Sequence, residues 1–148
     1  AASDVYKRQG LGWAVSLDGD SFIGQKALRA EKERGSPWSF IGLDIDWVDL
    51  ERLYNKEDLP PQVTGRASRT PVPLYKNGKQ IGQITSSTFS PLLKKYIGLG
   101  TVQSKYATIN TQVEIEITVE YSREQGRATI VKTPFFNPPR KVSNIGVK

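Results

Sequence analysis

A mainly β fold with flanking helices (α+β), its strands closed into a compact barrel, is predicted by three features of the 148-residue sequence. Val113, Ile115, Ile117, Val119 and Tyr121 alternate with Glu114, Glu116, Thr118 and Glu120, the period-two pattern of a strand with one buried and one wet face. Asn77-Gly78 lies between two further apolar runs, and this pair best tolerates the positive φ angles of a type I′ hairpin. Short strands with one apolar face each can bury those faces on one another by closing, which also removes exposed edges.

The elements follow in chain order. Residues 1–9 (AASDVYKRQ) have neither apolar periodicity nor the h-region of a signal peptide, and the sequence contains no Met; the stretch is read as extraneous to the fold. Asp18-Gly19-Asp20-Ser21 supplies a turn and an N-cap for a helix over Ser21 to Arg34. Ile23, Ala27 and Ala30 are its expected apolar face, Lys26, Arg29, Glu33 and Arg34 its polar one, and Gly35 with Pro37 its stop. From Trp38 the period becomes two, and Phe40, Leu43 and Ile45 mark a short strand. Asp46 then caps a second helix carrying Val48, Leu50, Leu53 and Tyr54, which Pro60-Pro61 ends. The polar, Pro/Gly-punctuated stretch up to Pro71 reads as a surface loop. Strands are expected at Val72 to Lys76, Lys79 to Thr85, and Tyr96 to Val102, whose two glycines point to a bend or a close backbone approach. After the alternating run, a five-residue turn over Ser122 to Gly126 leads into a strand from Ala128 to Thr133. No repeat at the 20 to 50 residue period of a solenoid is visible.

Composition narrows the function. Hydrophobic residues at 37%, aromatic at 9% and charged at 24% fit one globular domain, and no run approaches the roughly 18 to 20 apolar residues of a membrane span. No membrane association and a cytoplasmic location are expected. With no cysteine and no histidine, the chain lacks a thiolate nucleophile, an imidazole base and the usual zinc ligands. It therefore reads first as a binding or supporting domain.

The charge of +6 comes from 21 basic against 15 acidic residues spread along the chain, which suits an anionic small molecule or an acidic partner as well as a nucleic acid. Lys94-Lys95, Arg66, Arg69, Lys76 and Lys79, with Tyr75 and Tyr96 interleaved, form the best basic face for a β-barrel nucleic-acid binder, the alternative from a different class. Asp44, Asp46 and Asp49 match no metal-loop spacing, and Asp46 has an ordinary task as an N-cap, so no metal is assigned. Thr85-Ser86-Ser87-Thr88 lacks an activating base and reads as a shaped turn, a wall rather than a set of nucleophiles. Trp13, Trp38 and Trp47 read as packing anchors.

Four strings occur in an order that is not generic: Gly10-Leu11-Gly12-Trp13-Ala14-Val15, Asp20-Ser21-Phe22-Ile23-Gly24-Gln25-Lys26-Ala27-Leu28, Ile84-Thr85-Ser86-Ser87-Thr88-Phe89-Ser90-Pro91 and Val131-Lys132-Thr133-Pro134-Phe135-Phe136. Together they resemble the C-terminal part of the aminomethyltransferase family, the glycine cleavage T-proteins and their folate-dependent relatives. The resemblance implies four segments: the extraneous residues 1–9; residues 10–37 as the end of a truncated folate-binding domain, including the first helix; residues 38–139 as the C-terminal β-barrel domain; and a tail over 140–148.

It also implies a chemistry. In the family a lipoyl-bearing carrier protein delivers an aminomethyl group, tetrahydrofolate accepts the methylene, and ammonia leaves. The family's catalytic aspartate, its pterin-pairing glutamate and the arginine of its Leu-Arg-Leu-Glu stretch all precede the Gly-Leu-Gly-Trp block, so no catalytic residue is carried over and the chain alone is expected to be inactive. Arg140, just past the last strand, falls where the family places a residue reaching back towards folate; its planar donors suit the carboxylates of the glutamate tail. The segment Asp44 to Gln62 and the ending from Pro134 to Lys141 look more like the broader branch that includes folate-linked demethylases.

Overall fold

The computed structural model describes residues 15–63 and 65–139. Helix α1 spans Gln25–Arg34, strand β1 Trp38–Ile45 and helix α2 Trp47–Asn55. Strands β2 (Val72–Lys76), β3 (Lys79–Ser90), β4 (Lys95–Gln103), β5 (Gln112–Val119) and β6 (Ser122–Val131) follow, with a 3-10 turn at Ser104–Tyr106 after β4. The strands form a closed antiparallel barrel in the order β1-β4-β3-β2-β5-β6. The mainly β barrel with flanking helices expected from the sequence is thus the observed fold.

Period-two patterning fills the interior. Ile41, Leu43 and Ile45 of β1 meet Leu74, Ile81, Ile84, Val102, Val113, Ile115, Ala128 and Ile130 in one core, each of them at most 4% exposed. Phe40 is out of phase with Leu43 and is only half-buried, so the inward set begins at Ile41 instead. The β2–β3 hairpin turns at Asn77 and Gly78, both at positive φ (52° and 72°) as a type I′ turn requires. β3 runs on to Ser90 rather than stopping at Thr85. A bulge at Thr85, the residue skipped between Ile84 and Ser86 in the pairing with β4, lets this long strand bend around the barrel. Gly100 of β4 is a close approach: a Cβ there would lie within 2.2 Å of the Gln83 carbonyl oxygen.

Four further expectations are corrected. α1 begins at Gln25, not after a cap in Asp18 to Ser21, because Gly24 at φ 96° interrupts the helical path and is its N-cap with no side-chain cap; the Gln25 side chain donates to the Leu17 carbonyl at 3.0 Å. Its buried residues are Gln25, Leu28 and Glu31, whereas Ile23 precedes the helix and is fully exposed. The five-residue turn does not exist: Ser122–Gly126 is the first half of β6, and the hairpin turns at Glu120 and Tyr121, with Glu120 at φ 52°. Tyr121 is therefore 97% exposed. Gly126, which resembled a turn residue, instead makes room for Ile117, whose Cδ1 lies 2.5 Å from where a Cβ would stand. β6 also ends at Val131, not Thr133.

α2 closes one corner of the barrel. Asp46 caps it as expected, accepting from the Asp49 N–H at 3.1 Å. Leu50 and Leu53 are buried, Leu53 against Gly126 of β6, while Val48 points to solvent and is 69% exposed. The helix ends at Asn55, before Pro60-Pro61. Among the described elements α1 packs broadly against none.

Candidate functional site

The exit of β6 is where the barrel presents cations beside a partly apolar wall. Beyond Val131 the chain folds back over β1. Gly42 has no side chain, and Thr133 and the Phe135 ring take that space, with Thr133 Cγ2 2.7 Å and Phe135 Cε1 2.9 Å from where a Cβ would stand. The result is a cleft of about 170 Å3 lined by Asp44, Leu93, Lys95, Ile97, Lys132 and Phe135. Lys95 forms an ion pair with Asp44. Lys132 is exposed and has no ion pair or hydrogen bond to any described residue. One neutralised cation, one uncommitted cation and an aromatic edge form a berth for a carboxylate attached to a partly apolar body. Arg140, the residue singled out from the sequence, follows five positions after Phe135 and lies outside the described residues.

The three aspartates each have a structural partner. Asp44 holds Lys95 and Asp46 caps α2. Asp49 is 5% exposed; its Oδ1 accepts from Arg52 Nε at 2.8 Å and its Oδ2 from the Arg127 backbone N–H at 2.8 Å. Burial pushes the Asp49 carboxyl up, but the Arg52 hydrogen bond, the Arg127 N–H and both guanidinium charges outweigh it and hold the group below its ordinary 3.8. This carboxylate ties α2 to β6.

Thr85 to Thr88 form strand, not a turn. Their hydroxyls are used locally: Thr85 donates to the Leu99 carbonyl at 3.2 Å, Thr88 to the Phe89 carbonyl at 3.4 Å, and Ser87 shares a hydrogen bond with the Tyr96 hydroxyl at 3.2 Å. Trp47 packs on Phe89 at 5.6 Å between ring centroids and donates to Glu51 at 2.6 Å, while Trp38 is half-buried; Trp13 lies outside the described residues.

The basic set is not one face. Lys79 opens β3, whereas Lys94 and Lys95 follow its far end, so the two groups are separated by a strand that would span roughly 35 Å if straight. Tyr96 packs against the core, and Tyr75 donates to Glu116 at 3.5 Å, so neither is a free stacking platform. Sequence reasoning passed over Lys132 and Phe135 as individual residues, and Glu114 as one of several wet glutamates. A cation within the Val131 to Phe136 string was the available signal for Lys132; for Glu114 there was none.

Among the described residues no helix is long and apolar enough to cross a membrane. Residues 62–137 match the family model described as the glycine cleavage T-protein C-terminal barrel domain. An aminomethyltransferase of Bacillus cytotoxicus is 37% identical over 128 residues, which is 86% of this chain and 29% of that protein. One of Bacillus cereus is 35% identical over the same shares. The crystal structure of the glycine cleavage system aminomethyltransferase T from Bartonella henselae shares the fold, with a TM-score of 0.64 at 22% identity, covering 86% of this chain and 30% of that one. The chain thus spans under a third of the length of the relatives it matches. On this agreement of family model, relatives and barrel topology, the chain belongs to the glycine cleavage T-protein C-terminal barrel domain family.

Proposed function

We propose that this chain serves as the C-terminal barrel, residues 38–139, of a longer tetrahydrofolate-dependent aminomethyltransferase, with residues 10–37 ending its folate-binding domain. The observation that carries the reading is 35 to 37% identity, over 86% of the chain, to proteins named aminomethyltransferase. In the longer protein a lipoyl-bearing carrier delivers the aminomethyl group; tetrahydrofolate, when bound, supplies the nitrogens that accept the one-carbon unit. The residues at the β6 exit fit the anionic end of such a molecule, because Lys132 is uncommitted and Phe135 walls the cleft beside it. Lys132 would hold a glutamate carboxylate there, Arg140 is the further folate cation the family resemblance implies, and the barrel contributes binding rather than proton transfer.

The experiment is an aminomethyl-transfer assay with tetrahydrofolate, run on the longer gene product and on the 148-residue chain. We expect folate-dependent turnover by the first and none by the second; turnover by the short chain would overturn the supporting role. Replacing the carrier-borne donor by N-methylated glycines separates glycine cleavage from a demethylase relative. In the longer protein Arg140→Ala should weaken polyglutamylated folate about tenfold and leave the pterin end unaffected. An unchanged affinity would remove Arg140 from the site.

A further inference from the structure

The first residue of β1 stands on an uncharged stretch of the barrel's outer surface. Trp38 pairs with Gln103 of β4; two residues on, Phe40 pairs with Thr101, which in turn pairs with Gln83 of β3. Their chain neighbours Ile41, Val102 and Ile84 are buried in the core, so Trp38, Gln103, Thr101 and Gln83 face outward on three adjacent strands. Between them lies a cleft of about 330 Å3 lined by Trp38, Gln80, Gly82, Gln83 and Thr101. Trp38 also walls a second cleft of about 440 Å3, with Pro37, Gln103, Ser104 and Lys105.

The lining suits a ligand that is neutral, hydroxylated and apolar on one face. All five residues of the first cleft are uncharged, although the chain carries +6. The Gln83 amide, the Thr101 hydroxyl and the Trp38 indole N–H have no hydrogen bond to any described residue, and Gln80 makes one only at 3.4 Å, to the Gly82 carbonyl. These groups are within reach of a ligand: Gln80 and Gln83 are exposed, Trp38 and Thr101 are half-buried, and none of their unpartnered atoms is closed off from water. Lys105, the cation of the second cleft, has its ammonium 4.9 Å from the centre of the Tyr106 ring.

We propose that this cleft binds a neutral sugar ring stacked on Trp38. A pyranose turns a face of C–H groups to the negative face of an indole and carries hydroxyls around its rim. Each hydroxyl both donates and accepts, as do the Gln80 and Gln83 amides and the Thr101 hydroxyl. Those partners stand on β4 and β3, roughly 5 and 10 Å across the sheet from the Trp38 strand. That spread matches groups arranged around a ring better than the single hydrogen-bonding edge of a nucleobase, and a phosphate would find no cation in this cleft. The same chemistry is offered by a free monosaccharide and by a saccharide chain, whose next ring the second cleft would receive across the shared indole.

The test is a titration of the 15N-labelled full chain, followed by NMR, with the methyl pyranosides of glucose, galactose and mannose, with cellotetraose and mannotetraose, and with adenosine. Saturable shifts are expected with at least one saccharide at the Trp38 indole N–H, the Gln80 and Gln83 side-chain amides and the Thr101 backbone amide, and none with adenosine. Trp38→Ala should weaken that binding about tenfold or more, and Gln83→Ala about threefold. Gln83 is exposed, so its variant keeps the test decisive should Trp38→Ala disturb the barrel. Tighter binding of a tetraose than of its methyl pyranoside supports a saccharide chain as the source; equal binding supports a single sugar. No saturable shift with any saccharide, adenosine binding as tightly as the best saccharide, or unchanged affinity in either variant would overturn the proposal.

Discussion

Asp49 and Glu114 adjoin the same arginine and have opposite fates. At the α2–β6 corner, Asp49 accepts from Arg52 and from the Arg127 backbone, with the Arg127 guanidinium nearby. At the β2–β5 seam, Glu114 stands opposite Arg127 in the ladder, yet its buried oxygen accepts nothing. The Arg127 guanidinium lies on the corner side, 3.5 Å from both Asp46 Oδ2 and Asp49 Oδ2. Where charges are saturated the barrel is being held shut; where one is left over, packing alone does not explain it.

The corner should break with the largest effect. Leu53 is 1% exposed and packs beside Gly126, so Leu53→Ala should destabilise the chain by about 3 kcal/mol in urea unfolding. A loss below about 1 kcal/mol would mean that α2 does not hold the corner.

Asp49→Ala comes next. It removes two short hydrogen bonds, but both guanidinium partners are more than half exposed, so the expected loss is about 2 kcal/mol rather than the larger cost of a fully buried pair.

A smaller, pH-dependent effect follows from the same carboxylate. Its folded-state pKa is depressed below 3.8, so its contribution is present above that value and is lost as pH falls through the folded pKa. Stability measured from about pH 6 down to about pH 3 should fall less steeply in Asp49→Asn than in the parent chain. Parallel curves would place the acid sensitivity elsewhere.

The sequence carried the barrel further than the site. Alternation over Val113 to Val119 and the Asn77-Gly78 pair announced β5 and the β2–β3 hairpin because both signals are local. The start of β6 was hidden because Ser122 to Gly126 is polar on its outer side and has a glycine on its inner side, the composition of a turn, while its structural role depends on Ile117 and Leu53. The face of α1 was misread because Gln25 and Glu31, rather than alanines, are the residues buried beside Leu28. For the site, the Asp46 cap could be read from neighbouring residues. The link from Asp49 to Arg127 could not, since the two lie 78 positions apart in sequence.

The difference between corner and seam is measured most directly by urea unfolding of Asp49→Asn and Glu114→Gln side by side at neutral pH. Both changes neutralise a carboxylate beside Arg127 and nearly preserve its shape. A loss of about 1 to 2 kcal/mol is expected for Asp49→Asn, and for Glu114→Gln a change within about 0.5 kcal/mol of zero or a gain. Equal losses in the two variants would contradict this expectation.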